Sequence, residues 1–323
     1  MRSSPALIEI HGLSKHFGPF AAVDGIDLTV PGGEVLGFLG PNGAGKTTTM
    51  RMITGFLAPS AGSITIAGFD VAAAPLQARQ VLGYLPEGAP LYPDMTVAGF
   101  LGFIAEVRRI DGQRRRERLD AVIDQVGLGD VLRQPIGTLS KGYKRRVGLA
   151  QAIVHEPRVL ILDEPTDGLD PNQKHEVRKL IRAMARDRAI VISTHILEEV
   201  EAVCSRAVII DRGRIIADGT PDELKARSGY HNAVVLTVPR AQAGAATEDL
   251  KDLPGVERVT RDELADGYDR YTVIPTESVS IAGAVSGLVR ERGWSVRELY
   301  VLPGRLDDVF RKLTGHRQSG EAA

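Results

Sequence analysis

The nine residues Gly40-Pro41-Asn42-Gly43-Ala44-Gly45-Lys46-Thr47-Thr48 limit what this chain can fold into more than any other stretch. They lie between an apolar run, Val35 to Leu39, that reads as a buried strand, and Thr49 to Ile53, which can continue as a helix. Strand, glycine-rich turn and helix is the setting in which G-x-x-x-x-G-K-[ST] forms a phosphate-binding loop. Gly40, Gly43 and Gly45 lack a Cβ, so the backbone can take positive φ and bring N–H groups up to an anion. A helix opening near Gly45 adds unpaired N–H groups and the positive end of its dipole. Lys46 is placed to reach the β- and γ-phosphates, and the Thr47 hydroxyl to take one ligand position on Mg²⁺. An ordinary strand-to-helix turn is the alternative, and it requires none of these residues. The stretch from Gly40 to Thr48 therefore predicts a nucleoside triphosphate as ligand.

At 323 residues there is room for one large α/β domain and a smaller one. Apolar and charged fractions of 43% and 25% are those of a soluble globular protein. A net charge of −1 points to neither a nucleic-acid nor an anionic-membrane surface. The one cysteine, Cys204, reads as a small buried side chain in a helix, which leaves no disulfide framework and fits a reducing cytoplasmic setting. Met1 to Pro5 leads into a strand pattern without the apolar core of a signal peptide. No stretch approaches about 20 consecutive apolar residues, so action at a membrane is expected to go through a partner.

Along the chain, strands alternate with helices, which predicts an α/β fold with a mainly parallel sheet and antiparallel strands at its N-terminal edge. Leu7–Ile10 and Gly25–Val30 alternate as half-buried strands, and Val81–Leu85, Val159–Asp163 and Ala189–Ser193 are apolar runs for the sheet interior. Residues from about Val97 to Leu132 carry helical spacing, and a further helix runs from Ser140 to Val154, giving a helical subdomain over about 88–155. The Arg108-Arg109 and Arg114-Arg115-Arg116 runs read as a solvated helix face and loop. The pattern changes near Ala226 to Tyr230. The expected organisation is a first domain over 1–227, a small α+β unit over 230–315 and a flexible polar tail over 316–323.

A second chemical signal is Leu160-Ile161-Leu162-Asp163-Glu164-Pro165-Thr166. The apolar residues place a strand in the core, and two carboxylates emerge at its carboxyl end, where open α/β sheets bind ligands. Asp163 suits the Mg²⁺ shell, and Glu164 is placed to orient and deprotonate a water attacking the γ-phosphate. The plainer reading has the two acids capping the next helix.

Taken together, these stretches resemble the ATP-binding cassette (ABC) transporter ATPases, P-loop NTPases, over residues of roughly 7 to 225. Gly40 to Thr47 matches the Walker A loop, Leu160 to Glu164 the Walker B strand, and Leu139-Ser140-Lys141-Gly142-Tyr143 sits where the family has its LSGGQ signature. Gly168-Leu169-Asp170 matches the D-loop, Ser193-Thr194-His195 the switch histidine, and Phe17 takes the place of the aromatic that stacks on adenine. The resemblance implies a head-to-tail homodimer clasping two ATP molecules with Mg²⁺. Ser140 and Gly142 of one copy would then form a second anion site over the partner's phosphate loop. His195 would bond the γ-phosphate, and Asp170 would carry coupling across the dimer. Two positions depart from the family pattern. Lys141 and Tyr143 replace the common Gly and Gln, while the anion-facing Ser140 and Gly142 remain. Glu87, in Leu85-Pro86-Glu87-Gly88, stands where a glutamine usually links Mg²⁺ and the water to the transmembrane partner. It keeps an oxygen ligand for the metal, loses the amide donor and adds charge; an exposed turn residue is the alternative.

The resemblance further implies an ATPase subunit powering an exporter through a separate permease, at the cytoplasmic face of the membrane. Leu91, Tyr92, Met95 and Phe100 would line a groove for the permease or pack the core. A soluble cassette working on ribosomes or DNA is the rival class. Ribosomal members carry two cassettes, and this chain has one such loop; DNA-repair members insert a long coiled coil, and here about 94 positions without heptads separate Lys46 from Ser140.

Overall fold

The computed structural model describes residues 5–276 and 279–315. The chain divides into two compact units between Thr220 and Pro221. The first unit opens with a hairpin of β1 (Ala6–Phe17) and β2 (Phe20–Pro31). Then follow β3 (Val35–Leu39), α1 (Lys46–Ile53), β4 (Ala61–Ile66), β5 (Phe69–Asp70), α2 (Pro75–Gln80) and β6 (Leu82–Leu85). Helices α3 (Val97–Val107), α4 (Gly112–Val126) and α5 (Lys141–Ile153) come next. The unit ends with β7 (Val159–Asp163), α6 (Pro171–Met184), β8 (Ala189–Thr194), α7 (Leu197–Val203), β9 (Arg206–Asp211) and β10 (Arg214–Gly219).

Six strands form the central sheet in the order β10-β9-β3-β8-β7-β6. All neighbours from β9 to β6 run parallel, and β10 turns back antiparallel on β9 through Arg212 and Gly213, both at positive φ. β3, β7 and β8 are buried at every residue, as strands covered on both faces must be. This is the α/β cassette that the alternation of elements predicts.

The N-terminal strands differ in one respect from the expected antiparallel edge. They make a sheet of their own, in the order β2-β1-β4-β5. Both hydrogen-bonding edges of β1 are used, one by β2 and the other by β4, so no edge is left to extend the parallel sheet. Ile8, Ile10, Leu13, Val23 and Ile26 put one face of this sheet into the same core as Leu36, Phe38, Met50 and Met52.

The helical stretch expected over Val97–Leu132 is two helices. Thr96 caps the first by accepting from the Gly99 N–H. The chain breaks at Arg109 and Gly112, both at positive φ, and Gly127 ends α4 in the left-handed conformation that favours glycine. Arg108 and Arg115 are not simply solvated: they donate to the carbonyls of Arg79 (2.6 Å) and Gly102 (2.8 Å). Cys204 is buried just past the end of α7, and burial pushes its thiol pKa up to about 12.

The second unit holds α8 (Pro221–Lys225), β11 (His231–Pro239), α9 (Ala246–Lys251), β12 (Val256–Glu263) and β13 (Tyr268–Pro275). It continues with α10 (Ala282–Arg292), β14 (Glu298–Pro303) and α11 (Leu306–Gly315). Its sheet, β12-β13-β11-β14, is antiparallel throughout. Val234, Leu236, Val238, Tyr271 and Val273 from the strands pack with Leu250 of α9 and Val285 of α10 as a separate core. Asp269, fully buried, is held by Arg240 (2.9 Å) and Arg261 (2.6 Å). The tail expected to be flexible, 316–323, lies outside the described residues.

Candidate active site

Three adjacent parallel strands, β3, β8 and β7, end together. Leu39 pairs with Thr194 and Asp163 pairs with Ser193, so the loop after β3, the Ser193-Thr194-His195 turn and the Asp163-Glu164 pair share the carboxyl edge of the sheet. Ligands bind at such edges in open α/β sheets.

The loop after β3 is glycine-dependent for steric reasons. Gly45 sits at φ 105, and a Cβ there would lie 2.5 Å from the Ala22 carbonyl oxygen; one on Gly40 would lie 2.5 Å from that of Ile210. Gly43 is also at positive φ (81). The Gly213 N–H donates to the Ala44 carbonyl (2.9 Å), tying the loop to the β9–β10 turn. Pro41 is half-buried, Asn42 is exposed, and Thr47 and Thr48 are half-buried in the first turn of α1.

Lys46 is 7% exposed and folds across its own loop, donating to the carbonyls of Gly40 (2.7 Å) and Pro41 (3.1 Å). Burial lowers its ammonium pKa, and the carboxylates of Glu164, Asp163 and Glu87 pull it back up.

Asp163 is 2% exposed, and its Oδ2 has no hydrogen-bond partner; neither has the buried Ser193 hydroxyl. Burial pushes the Asp163 carboxyl pKa up; the adjacent Ser193 hydroxyl, outside hydrogen-bond geometry but close enough to act on the acid, and the Arg145 charge oppose the rise, while the Glu164 and Glu87 charges add to it. A buried carboxylate oxygen left unpaired is costly unless a cation or donor comes to it. Among the described residues no group of three or more His, Cys, Asp and Glu could close a metal site alone. That donor set fits Mg²⁺, which keeps water and takes substrate phosphates alongside one or two carboxylates.

Glu164 adopts φ 50, a region that costs a residue with a Cβ on the order of 1–3 kcal/mol. Its N–H donates to the Ser193 carbonyl (2.9 Å). Its carboxylate is 2.8 Å from His195 Nδ1 through Oε1 and 3.3 Å from the Thr194 hydroxyl through Oε2. The same hydroxyl lies 3.0 Å from Oε2 of the buried Glu199. Its single proton serves one acid at a time.

The remaining predicted positions fall into two groups. Glu87 is exposed, and its carbonyl accepts from Arg145 (2.7 Å). Phe17, half-exposed, pairs with Phe20 at the tip of the hairpin, whose Ala22 backs onto Gly45, and the Lys15 ammonium lies 5.3 Å from its ring centre. Ser140, Gly142 and Asp170 lie apart from the loop in their bonding. Ser140 caps α5 by accepting from the Tyr143 N–H (3.3 Å), and Asp170 caps α6 by accepting from the Gln173 N–H (2.9 Å). Gly142 is covered by Gln173, whose Oε1 would be 2.4 Å from a Cβ there. Among the described residues no hydrogen bond joins these three to Gly40–Thr48.

Of the four groove candidates, Phe100 is buried, while Tyr92 is 55% exposed and packs edge-on against Phe100 and Phe103. Sequence reasoning missed Thr194, Glu199 and Arg145 as individual residues. Arg145 in particular hides in the run Lys144-Arg145-Arg146, which has the look of a solvated helix face.

A family profile described as "ABC transporter" matches residues 23–167. The chain is 35% identical over 321 residues to the daunorubicin/doxorubicin resistance ATP-binding protein DrrA of Streptomyces peucetius, spanning 98% of this chain and 96% of that one. It is 36% identical over 316 residues to Nod factor export ATP-binding protein I of Paraburkholderia xenovorans (strain LB400), spanning 96% and 97%. A solved structure described as "Structure of ATP binding subunit of ABC transporter" superposes with a TM-score of 0.64 at 32% identity, covering 68% of this chain and 92% of that one. The first unit thus has the fold of solved cassettes, and the relatives match along nearly their whole length. This chain belongs to the ABC transporter family, as an ATP-binding subunit that hydrolyses ATP to drive transport.

Proposed function

We propose that this subunit powers export through a separate transmembrane permease, and that it hydrolyses ATP at the interface of a head-to-tail homodimer. The observation that carries the proposal is the meeting of Lys46, Asp163, Glu164 and His195 at one sheet edge, with Ser140 and Gly142 bonded elsewhere in the same chain. One half of a composite site is then present at the sheet edge of each copy, and the other half begins at Ser140, which is exposed at the start of α5.

In this mechanism Lys46 exchanges its loop carbonyls for β- and γ-phosphate oxygens. The loop N–H groups from Gly43 to Thr48 and the opening of α1 hold the phosphates, and Phe17 stacks on the base. Asp163, the Thr47 hydroxyl and Glu87 would hold Mg²⁺, and the ion would supply positive charge to offset that of the phosphates. Glu164 orients a water toward the γ-phosphate and takes its proton. His195 hands its contact with Glu164 over to the γ-phosphate. Ser140 and Gly142 of the second copy complete the anion site, and Asp170 links the two halves.

Export is favoured because both relatives named above match this chain along at least 96% of its length, second unit included, and their names attach them to drug resistance and to export. No helix among the described residues is long and apolar enough to cross a membrane; the proposal places the subunit at the cytoplasmic face, attached through the permease. Nucleic acid is not a proposed partner. We assign the ATPase role to 1–227 and an accessory role to 230–315; the two compact units divide slightly earlier, between Thr220 and Pro221. Replacing Glu164 with Gln tests the core of this reading. Hydrolysis should vanish while ATP binding and an ATP-dependent dimer persist; retained turnover would remove Glu164 as the base.

A further inference from the structure

Arg145 lies within α5, just beyond the signature residues, and is 6% exposed. A guanidinium carries five N–H donors in a rigid plane, and here each one has a carbonyl acceptor. Nε donates to Pro165 (3.2 Å), Nη1 to Pro86 (2.9 Å) and Glu87 (2.7 Å), and Nη2 to Asp163 and Glu164. Burying a charged group is costly unless its hydrogen bonds are complete. A side chain that served only to fill space would not need this chemistry. The five acceptors come from the turn following β6 and from the end of β7 with the turn after it, and the arginine itself comes from a third element.

The acceptor on Glu164 has a specific consequence. That residue is held at φ 50, with its N–H fixed by the Ser193 carbonyl on one side. Arg145 fixes its carbonyl on the other side. The peptide planes flanking the strained residue are therefore both pinned, one from the sheet and one from the signature helix.

We infer that Arg145 is a positioning residue for hydrolysis, locking the main chain of Glu164 and of Glu87 to the signature helix so that a displacement of α5 reaches both turns. The inference rests on the proposed role of Glu164 as base. Arg145 has no place in the nucleotide pocket and acts through the residues it holds. A lysine keeps the charge but has no planar fork, so it cannot hold both turns in the same register.

The test compares full-length Arg145→Lys and Arg145→Gln with the parent and with Glu164→Gln. Both Arg145 variants should lose at least about tenfold in kcat while KM for ATP stays within about threefold, the signature of a group that acts in the transition state rather than in binding. Arg145→Lys turning over within about twofold of the parent would overturn the inference, as would a fall in kcat that merely tracks a loss of ATP affinity. Glu164→Gln separates the two claims: if it still hydrolyses ATP, the assignment of the base has failed, and if it is dead while Arg145→Lys is active, the positioning role alone has failed. Hydrogen exchange on the parent chain decides the matter if the variants do not fold. Adding Mg·ATP should change protection over 86–88, 141–146 and 163–166 together, and independent changes in these segments would contradict the shared clamp.

Discussion

His195 Nδ1 and Glu164 Oε1 lie 2.8 Å apart, across the carboxyl ends of β8 and β7. The histidine side chain is 58% exposed and the glutamate side chain 12%, so the pair joins a surface group to a nearly buried acid. This contact lies on the carboxylate proposed to activate water, and it orients the histidine beside that acid. His195→Ala should then retain ATP binding and lose at least about tenfold in turnover, measured as steady-state phosphate release. Unchanged turnover would mean that the contact has no part in the reaction.

Lys46 donates to two carbonyls of its own loop, and those bonds can be traded for phosphate oxygens. Lys46→Ala should weaken equilibrium ATP binding at least about tenfold, the typical effect of losing a charge-assisted contact. Fluorescent-nucleotide titration measures this directly, and an unchanged affinity would contradict the loop assignment.

Gly45 is fixed by space as well as by φ. A methyl group there meets the Ala22 carbonyl at 2.5 Å, so Gly45→Ala should destabilise the chain by about 2 kcal/mol and abolish ATP binding. Chemical denaturation and nucleotide titration of the same sample check both halves of the prediction.

His155 supplies a pH prediction away from the site. Its ring lies 3.0 Å from the Leu82 carbonyl through Nε2, its Nδ1 is buried without a partner, and burial, helped by the Arg108 charge, lowers its pKa from 6.5 to about 4. The unfolded chain therefore binds more protons than the folded chain between those values. Stability is fully present above pH 6.5 and falls as pH drops toward 4, by up to about 3 kcal/mol for this group. His155→Gln should flatten that slope in denaturation measured across the window; an unchanged slope would exclude His155 as its source.

The two units have separate hydrophobic cores. A chain ending at Thr220 should bind ATP with an affinity within about threefold of the parent, as a unit that carries its own core can. Calorimetry on the truncated chain would show the contrary if the second unit is needed for binding.

The parts of the fold that were readable in the sequence are those where one local signal dominates. Val35–Leu39 and Val159–Asp163 are apolar without alternation because both faces are covered, and Gly40 and Gly45 are required because a Cβ on either would lie 2.5 Å from a carbonyl oxygen. Ser140 is legible as the start of a helix, and it caps α5. The separate N-terminal sheet was not legible, because the use of both edges of β1 is a tertiary fact that its own sequence does not carry. Neither was α9, a six-residue helix that is stable only because Ala246 and Leu250 reach the second core. Arg145 was hidden by composition: between Lys144 and Arg146 it looks solvated, and only the fold brings five carbonyls to it.

The central claim is that each hydrolytic site takes its phosphate loop from one copy and its signature from the other. Complementation tests it most directly. Lys46→Ala chains lack a working loop and Ser140→Arg chains lack a working signature, so each should be inactive alone. An equimolar mixture should recover ATPase activity, because some mixed dimers pair an intact loop with an intact signature. A mixture as inactive as either variant by itself, or a Ser140→Arg chain as active as the parent, would contradict the account.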